Sequence, residues 1–209
     1  VIRSALALKL HQYEDTGALL AATTTSLPEY PGSGRNWDYR YCWLRDAYFT
    51  LNALERLGHS EEMERFLEYL RNLAEEEQGV LRPAYRINGS AEAPEQELDW
   101  LAGYNGEQPV RVGNQAFEHV QNDVYGEMVL AVSRLFLDIR FVGSVPPKTA
   151  LDTVGGLVAQ IEAKLDEPDA GPWEFRERWR LHGFTVLMHW AGARRAVEVL
   201  DAFDDDPGH

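Results

Sequence analysis

Three short stretches of this chain concentrate the residue types that do chemistry on neutral, hydroxyl-rich molecules. The first is Gly34-Arg35-Asn36-Trp37-Asp38-Tyr39-Arg40-Tyr41-Cys42-Trp43-Leu44-Arg45-Asp46-Ala47, where four large aromatics alternate with charges just ahead of an apolar helical pattern. Flat apolar rings cover the C–H faces of a sugar, and charged groups hold its hydroxyls. Trp43 and Asp46 stand three apart, so they share one face of a first helical turn, with Arg45 at an adjacent angle. A buried aromatic cluster with an Arg–Asp pair, pinning a helix start, would use the same residues.

The second stretch is Gly113-Asn114-Gln115-Ala116-Phe117-Glu118-His119-Val120-Gln121-Asn122-Asp123-Val124-Tyr125-Gly126-Glu127, dense in amides and carboxylates. It leads into an amphipathic helix, so Asp123 also reads as a helix cap and Glu127 as a solvent-facing residue. His119 and Asp123 have a spacing that suits a shared metal, but no third ligand accompanies them, and no metal is expected. The third stretch is Glu167-Pro168-Asp169-Ala170-Gly171-Pro172-Trp173-Glu174-Phe175-Arg176. Glu174 lies between two aromatics after a Gly-Pro turn. A carboxyl desolvated against indole and phenyl surface keeps its proton near neutrality, which is what general-acid cleavage of a glycosidic bond requires. The alternative is a loop carboxylate paired with Arg176 or Arg178.

The elements that must position these stretches are helical. Apolar residues recur at helical spacing in Ile2, Ala5, Leu6, Tyr13, then in Leu44, Ala47, Tyr48, Leu51, Leu54, stopping at Gly58. Ser60 is an expected N-cap for a helix carrying Met63, Phe66, Leu67, Leu70 and Leu73, with Glu61 and Glu62 at the positive end of its dipole. From Gly79 to Gly113 the pattern changes, and Val80–Tyr85 and Val110–Val112 read as short strands or an ordered long loop. Helical spacing returns with Val124, Met128, Val132, Leu135, Ile139, then Leu151, Val154, Val158, Ile161, Leu165 after Pro146-Pro147, and finally Leu187, Trp190, Ala191, Val197, Leu200. Roughly six helices and no large sheet follow.

Composition narrows the partners. The 209 residues are 44% hydrophobic, enough for a sizeable core, and the formal charge of −14 repels nucleic acids and anionic membranes. No apolar run is long enough to span a bilayer. The single cysteine, Cys42, allows no intrachain disulfide and fits a reducing compartment, so a cytoplasmic location is expected. Neither end carries a signal-peptide pattern, and both read as cut from something longer.

Together the stretches resemble glycoside hydrolase family 15, the glucoamylase–trehalase family. Thr24-Thr25-Ser26-Leu27-Pro28-Glu29 and Arg35 to Ala47 look like its opening signature. Gly113-Asn114, Gln121, Asp123 to Glu127, Glu167 to Gly171 and Trp173-Glu174 follow in the family's order. The resemblance implies an all-α fold, part of an (α/α)6 toroid of paired helices with short strands in long connecting loops. Residues 1–209 would then be a single partial catalytic domain, the acid-bearing half. It implies that Arg45 and Asp46 hold hydroxyls of the terminal sugar, that Trp43 and Tyr41 line that pocket, and that Tyr39 helps position the attacking water. Gln121 and Asp123 match a polar pair beside the site, Trp173 belongs to the substrate-binding set, and Glu174 matches the general acid.

The family's general base, a second Glu, lies further along than this sequence reaches. The implied reaction is inverting hydrolysis of terminal α-glucosidic bonds in α-glucans or maltooligosaccharides, without cofactor. It needs two carboxyls about 6.5–9.5 Å apart. Trehalose is the alternative substrate, and a sugar-binding module without catalysis the alternative function. This half alone is expected to be inactive and to self-associate through exposed helix faces. Phe175 departs from members that carry a second Glu contacting the leaving sugar, and Gln115, Phe117, Glu118 and His119 depart from the small and amide residues usual there.

Overall fold

A computed structural model describes residues 1–141 and 145–204. Six helices are present among the described residues: α1 (Ile2–Leu10), α2 (Leu44–Arg56), α3 (Glu61–Glu76), α4 (Asp123–Leu137), α5 (Pro147–Lys164) and α6 (Gly183–Asp204). Strands are confined to two-residue pairs in the long connections. β1 (Cys42–Trp43) pairs antiparallel with β2 (Ala84–Tyr85), and β3 (Gln96–Glu97) with β4 (Arg111–Val112). The fold is all-α, and no barrel closes among the described residues. No described helix is long and apolar enough to cross a membrane.

The middle helix, α4, is buried on nearly every side, from Asp123 to Phe136, with Leu130 and Arg134 the half-buried exceptions. A helix with no solvent-facing stripe must be covered on every side. Here α2, α3, α5 and α6 pack against it. α3 buries Met63, Phe66, Leu67, Leu70 and Leu73 as its spacing requires. α2 ends at Arg56 with Leu57 as its C-cap, and Gly58 takes the left-handed conformation (φ +83°) that closes the helix.

Several details differ from the sequence expectation. Ser60 stands at the N-cap position of α3 but makes no side-chain cap bond. Its φ −92°, ψ −31° is already helical, whereas a capping hydroxyl reaches back from extended backbone. α1 forms yet buries no residue, because its apolar side chains are spread around the helix. Ile139 and Leu165 fall beyond the ends of α4 and α5 and are exposed.

The largest difference is on α6. The apolar residues that mark it as a helix, Leu187, Trp190, Val197 and Leu200, face outward at 49–60% exposure. Its buried face is Thr185, His189, Gly192, Ala196 and Val199. Gly192, opposite Gly126, lets α6 cross α4 at backbone contact. A Cβ placed on Gly126 would lie 2.1 Å from the Met188 carbonyl oxygen, and one on Gly192 would lie 2.7 Å from Gly126 Cα.

Candidate active site

The connections at the N-terminal ends of α2, α4 and α6 meet around a cleft of about 1120 Å³. It is lined by Tyr39, Trp43, Arg45 and Asp46 from the first stretch, His119 from the second, and Trp173, Glu174, Phe175 and Arg176 from the third. Arg45 is its hub. The guanidinium donates from Nη1 to Gln121 Oε1 (2.8 Å) and from Nη2 to Glu174 Oε1 (3.1 Å), and the Trp43 indole N–H donates to the same Glu174 oxygen (2.8 Å). Residues 129 and 131 positions apart in sequence thus hold one carboxyl group. Glu174 itself has φ +54°, in the left-handed region.

This placement revises the expected surroundings of Glu174. Trp173 is 80% exposed and Phe175 stacks on His182, so neither ring encloses the carboxyl. Its neighbours are the Trp43 indole and the Arg45 guanidinium. Arg176, the alternative partner, pairs with Glu95 (3.1 Å) and lies over the Trp37 ring, whose other cation is Arg111.

Other expected site residues divide into wall and foundation. Tyr39 is in the wall, its ring 5.5 Å from Trp43, and burial first, then the charge of Glu174, pushes its hydroxyl pKa up to about 12. Asp46 is in the wall too. Burial raises its pKa, and Arg45 beside it offsets only part of the rise. Tyr41 is not in the wall. The chain bends there, and its hydroxyl donates to Asp38 Oδ2 (3.2 Å) and accepts from the Gly113 N–H (3.1 Å), which turns the ring behind Trp43 and against Phe117. Gln121 and Asp123 are fully buried and do not line the cleft. Gln121 meets Arg45 directly, and the charge of Asp123 acts on Arg45.

Asp123 opens α4 without capping it, and Glu127 is 0% exposed, so the solvent-facing reading of Glu127 fails. None of the four carboxyl oxygens of Asp123 and Glu127 has a hydrogen-bond partner. Burial drives both pKa values up against the pull of Arg45, Asp123 to about 6 with Asp169 and Glu174 adding to the rise, and Glu127 to about 9 with Asp123 and Asp46 adding to it. No group of three metal-ligating side chains occurs among the described residues, so His119 and Asp123 stay without a third ligand.

Two carboxylates that the sequence reading left unassigned fix the loops. Asp169, fully buried, accepts from the Asn122 N–H (2.8 Å), Thr185 Oγ1 (2.9 Å) and the Gly171 N–H (3.1 Å), tying the Glu174 loop to the starts of α4 and α6. Burial favours the neutral form of Asp38, but paired bonds from Arg40 (2.8 and 2.9 Å) hold its pKa below the ordinary range. Its only sequence signal was an Asp two residues before an Arg, as Asp169's was an Asp in a Pro-Asp-Ala-Gly turn. Gly171 (φ +65°) approaches the His182 ring so closely that a Cβ would stand 2.7 Å from it.

The sequence profile described as "Glycosyl hydrolases family 15" matches residues 1–208. The chain is similar to proteins named trehalase. One is from Thermoplasma acidophilum, 39% identical over 199 residues, covering 95% of this chain and 33% of the relative. Another, from Mycolicibacterium smegmatis, is 38% identical over 205 residues, covering 95% and 30%. A protein named trehalase 2, from Sulfolobus acidocaldarius, is 31% identical over 191 residues, covering 90% and 32%. The chain therefore spans about a third of the length of these relatives. No solved structure matches it.

Proposed function

Because the chain belongs to the glycosyl hydrolases of family 15, we propose that it forms the acid-bearing side of an inverting glycosidase site whose substrate is trehalose. Glu174 gives its proton to the glycosidic oxygen, Arg45 and Asp46 hold hydroxyls of the terminal sugar, and Tyr39 orients the attacking water. The second carboxylate, which activates that water, comes from elsewhere in the whole protein. One observation carries the reading: the Glu174 carboxyl at the cleft wall, aimed by the Trp43 indole and Arg45 guanidinium, with Asp46 in the same wall. Ring stacking suits the exposed Tyr39 to a pyranose face. The names of the relatives favour trehalose over the α-glucans and maltooligosaccharides that the sequence put first.

In the whole protein, Glu174→Gln should lower kcat on trehalose by roughly 10²–10⁴, the range for loss of a general acid. The deficit should shrink on α-glucosyl fluoride, whose leaving group needs little protonation. An equal deficit on both substrates would make Glu174 structural and sink the assignment. Maltooligosaccharides in the same assay decide the substrate: faster turnover of maltose than of trehalose reverses that part of the reading.

A further inference from the structure

Glu174 sits on an exposed excursion of the chain. Asp169 and Arg180 close its base with reciprocal backbone bonds (3.1 Å each). Beyond the buried Gly171, every residue through Leu181 is exposed except Pro172 and Glu174, which are half-buried. Little packing therefore fixes the acid from within its own loop, yet proton delivery tolerates only a fraction of an ångström of misplacement. Glu174 also keeps φ +54°, a conformation that persists only where its surroundings over-determine it. The constraint has to come from outside the loop.

The buried carboxylate of Asp169 spans the gap between the acid's turn and the partner of Arg45. Its Oδ1 accepts from the Gly171 N–H (3.1 Å), and the Gly171 carbonyl in turn accepts from the Glu174 N–H (3.0 Å). Its Oδ2 accepts from the N–H of Asn122 (2.8 Å), the next residue after Gln121. Gln121 Oε1 accepts from Arg45 Nη1 (2.8 Å), and Arg45 Nη2 donates to Glu174 Oε1 (3.1 Å). The contacts close on themselves, running from Asp169 through Gly171, Glu174, Arg45, Gln121 and Asn122 back to Asp169. Gln121, Asn122 and Asp169 are each at most 1% exposed, so the circuit is anchored in the core. Thr185 Oγ1 also donates to Oδ2 (2.9 Å) but lies outside the circuit, and His182 Nε2, 3.9 Å from Oδ1, is beyond hydrogen-bond reach.

We propose that Asp169 is a positioning residue for the proton transfer, acting through Glu174 by setting the acid's turn against the Arg45–Gln121 pair. This rests on the hydrolase reading above. Sugar hydroxyls are assigned there to Arg45 and Asp46, and Arg45 keeps its Gln121 bond when Gly171 is released. Loss of the Gly171 link should therefore misplace the acid while leaving sugar binding in place. Asparagine at 169 isolates that link. Its one acceptor oxygen stays with the two donors on the Oδ2 side, the Asn122 N–H and Thr185 Oγ1. The amide nitrogen then faces the Gly171 N–H, donor against donor, and only the tie to the acid's turn breaks.

The test compares Asp169→Asn with Thr185→Val in the whole protein. Each removes one buried hydrogen bond from the same carboxyl group, so both should lower the melting temperature. On trehalose or maltose, whichever the wild type cleaves, Asp169→Asn should lower kcat by roughly 10–10², with KM changed by less than about twofold. On α-glucosyl fluoride, which needs little protonation, its kcat should stay within about threefold of the wild type. Thr185→Val should match the wild type to within about twofold on both substrates. Should Asp169→Asn not fold, Asp169→Glu, which keeps the charge but pushes on the Gly171 turn, has to show the same split. If neither folds, Asp169 is purely structural and the proposal falls. Equal losses on disaccharide and fluoride, no loss, or a kcat for Thr185→Val as low as that of Asp169→Asn overturns it too. The hydrolase reading survives those results if Glu174→Gln still separates the two substrates, whereas a wild type that cleaves neither overturns both.

Discussion

Arg45 is one cation serving four acids: Glu174, Asp123, Asp46 and Glu127 all act on it. Two of them, Asp123 and Glu127, are fully buried, and ionising both beside one shared guanidinium would leave uncompensated negative charge. Glu127, fully buried and without a partner, keeps its proton first. The sign of the linkage follows. Glu127 titrates near 4.5 unfolded and about 9 folded, so across that interval the folded state holds more protons. Its contribution is most favourable below pH 4.5 and is lost as pH rises toward 9. Asp123 adds the same sign over a lower window, from 3.8 to about 6. Glu127→Gln, uncharged at every pH, should therefore gain stability over the wild type between pH 5 and 8.5, read as the shift in urea midpoint. A gap that does not widen with pH would mean that Glu127 is already ionised. Sequence alone left this residue between a helix interior and a solvent face, because nothing local records that α2 closes over it.

At the scale of elements, the crossing of α4 and α6 is decided by glycine. Gly126→Ala drives a methyl group into the Met188 carbonyl, so the helices must separate, and a loss of about 1–3 kcal/mol is expected. Gly155 of α5 is the control. A Cβ there meets nothing, and Gly155→Ala should raise stability by up to about 1 kcal/mol through helix propensity alone. Urea unfolding of both variants checks the pair, and a harmless Gly126→Ala would contradict the close crossing. Helical period announced all six helices but not the inward face of α6. Trp190 and Leu187 are the residues that hydropathy notices, and they face out. Gly192 and Ala196 are unremarkable in sequence and face α4, because close approach rewards the absence of side chain.

For the whole molecule, the outward face of α6 is its most telling surface. Val186, Leu187, Trp190, Val197 and Leu200 are each at least 46% exposed, and Trp179 and Leu181 lie just ahead of the helix. Exposed apolar area of this extent marks a contact surface. We expect the 209-residue chain on its own to self-associate despite its charge of −14 and to turn over neither trehalose nor maltose. Sedimentation velocity should show mass rising with concentration, and Leu187→Glu with Trp190→Glu should restore a monomer. A monomeric parent chain at all concentrations would remove the argument. The site was legible in the same uneven way. Trp43, Arg45 and Glu174 were found through the family's motif order, since no spacing rule links positions this far apart. Asp169, which fastens the Glu174 loop by three bonds, passed as turn composition.

The left-handed backbone of Glu174 carries a thermodynamic consequence. A side chain at φ +54° costs on the order of 1 kcal/mol that glycine would not incur. The fold therefore keeps its proposed acid where a different residue would make a sturdier protein, and activity is held at the expense of melting temperature. Two inactive variants expose the trade. Glu174→Ala and Glu174→Gly lose the same bonds to Trp43 and Arg45, but only glycine relieves the backbone. Glycine should melt higher, even though it is the more flexible residue when unfolded. Equal melting temperatures would show that the loop yields and stores nothing.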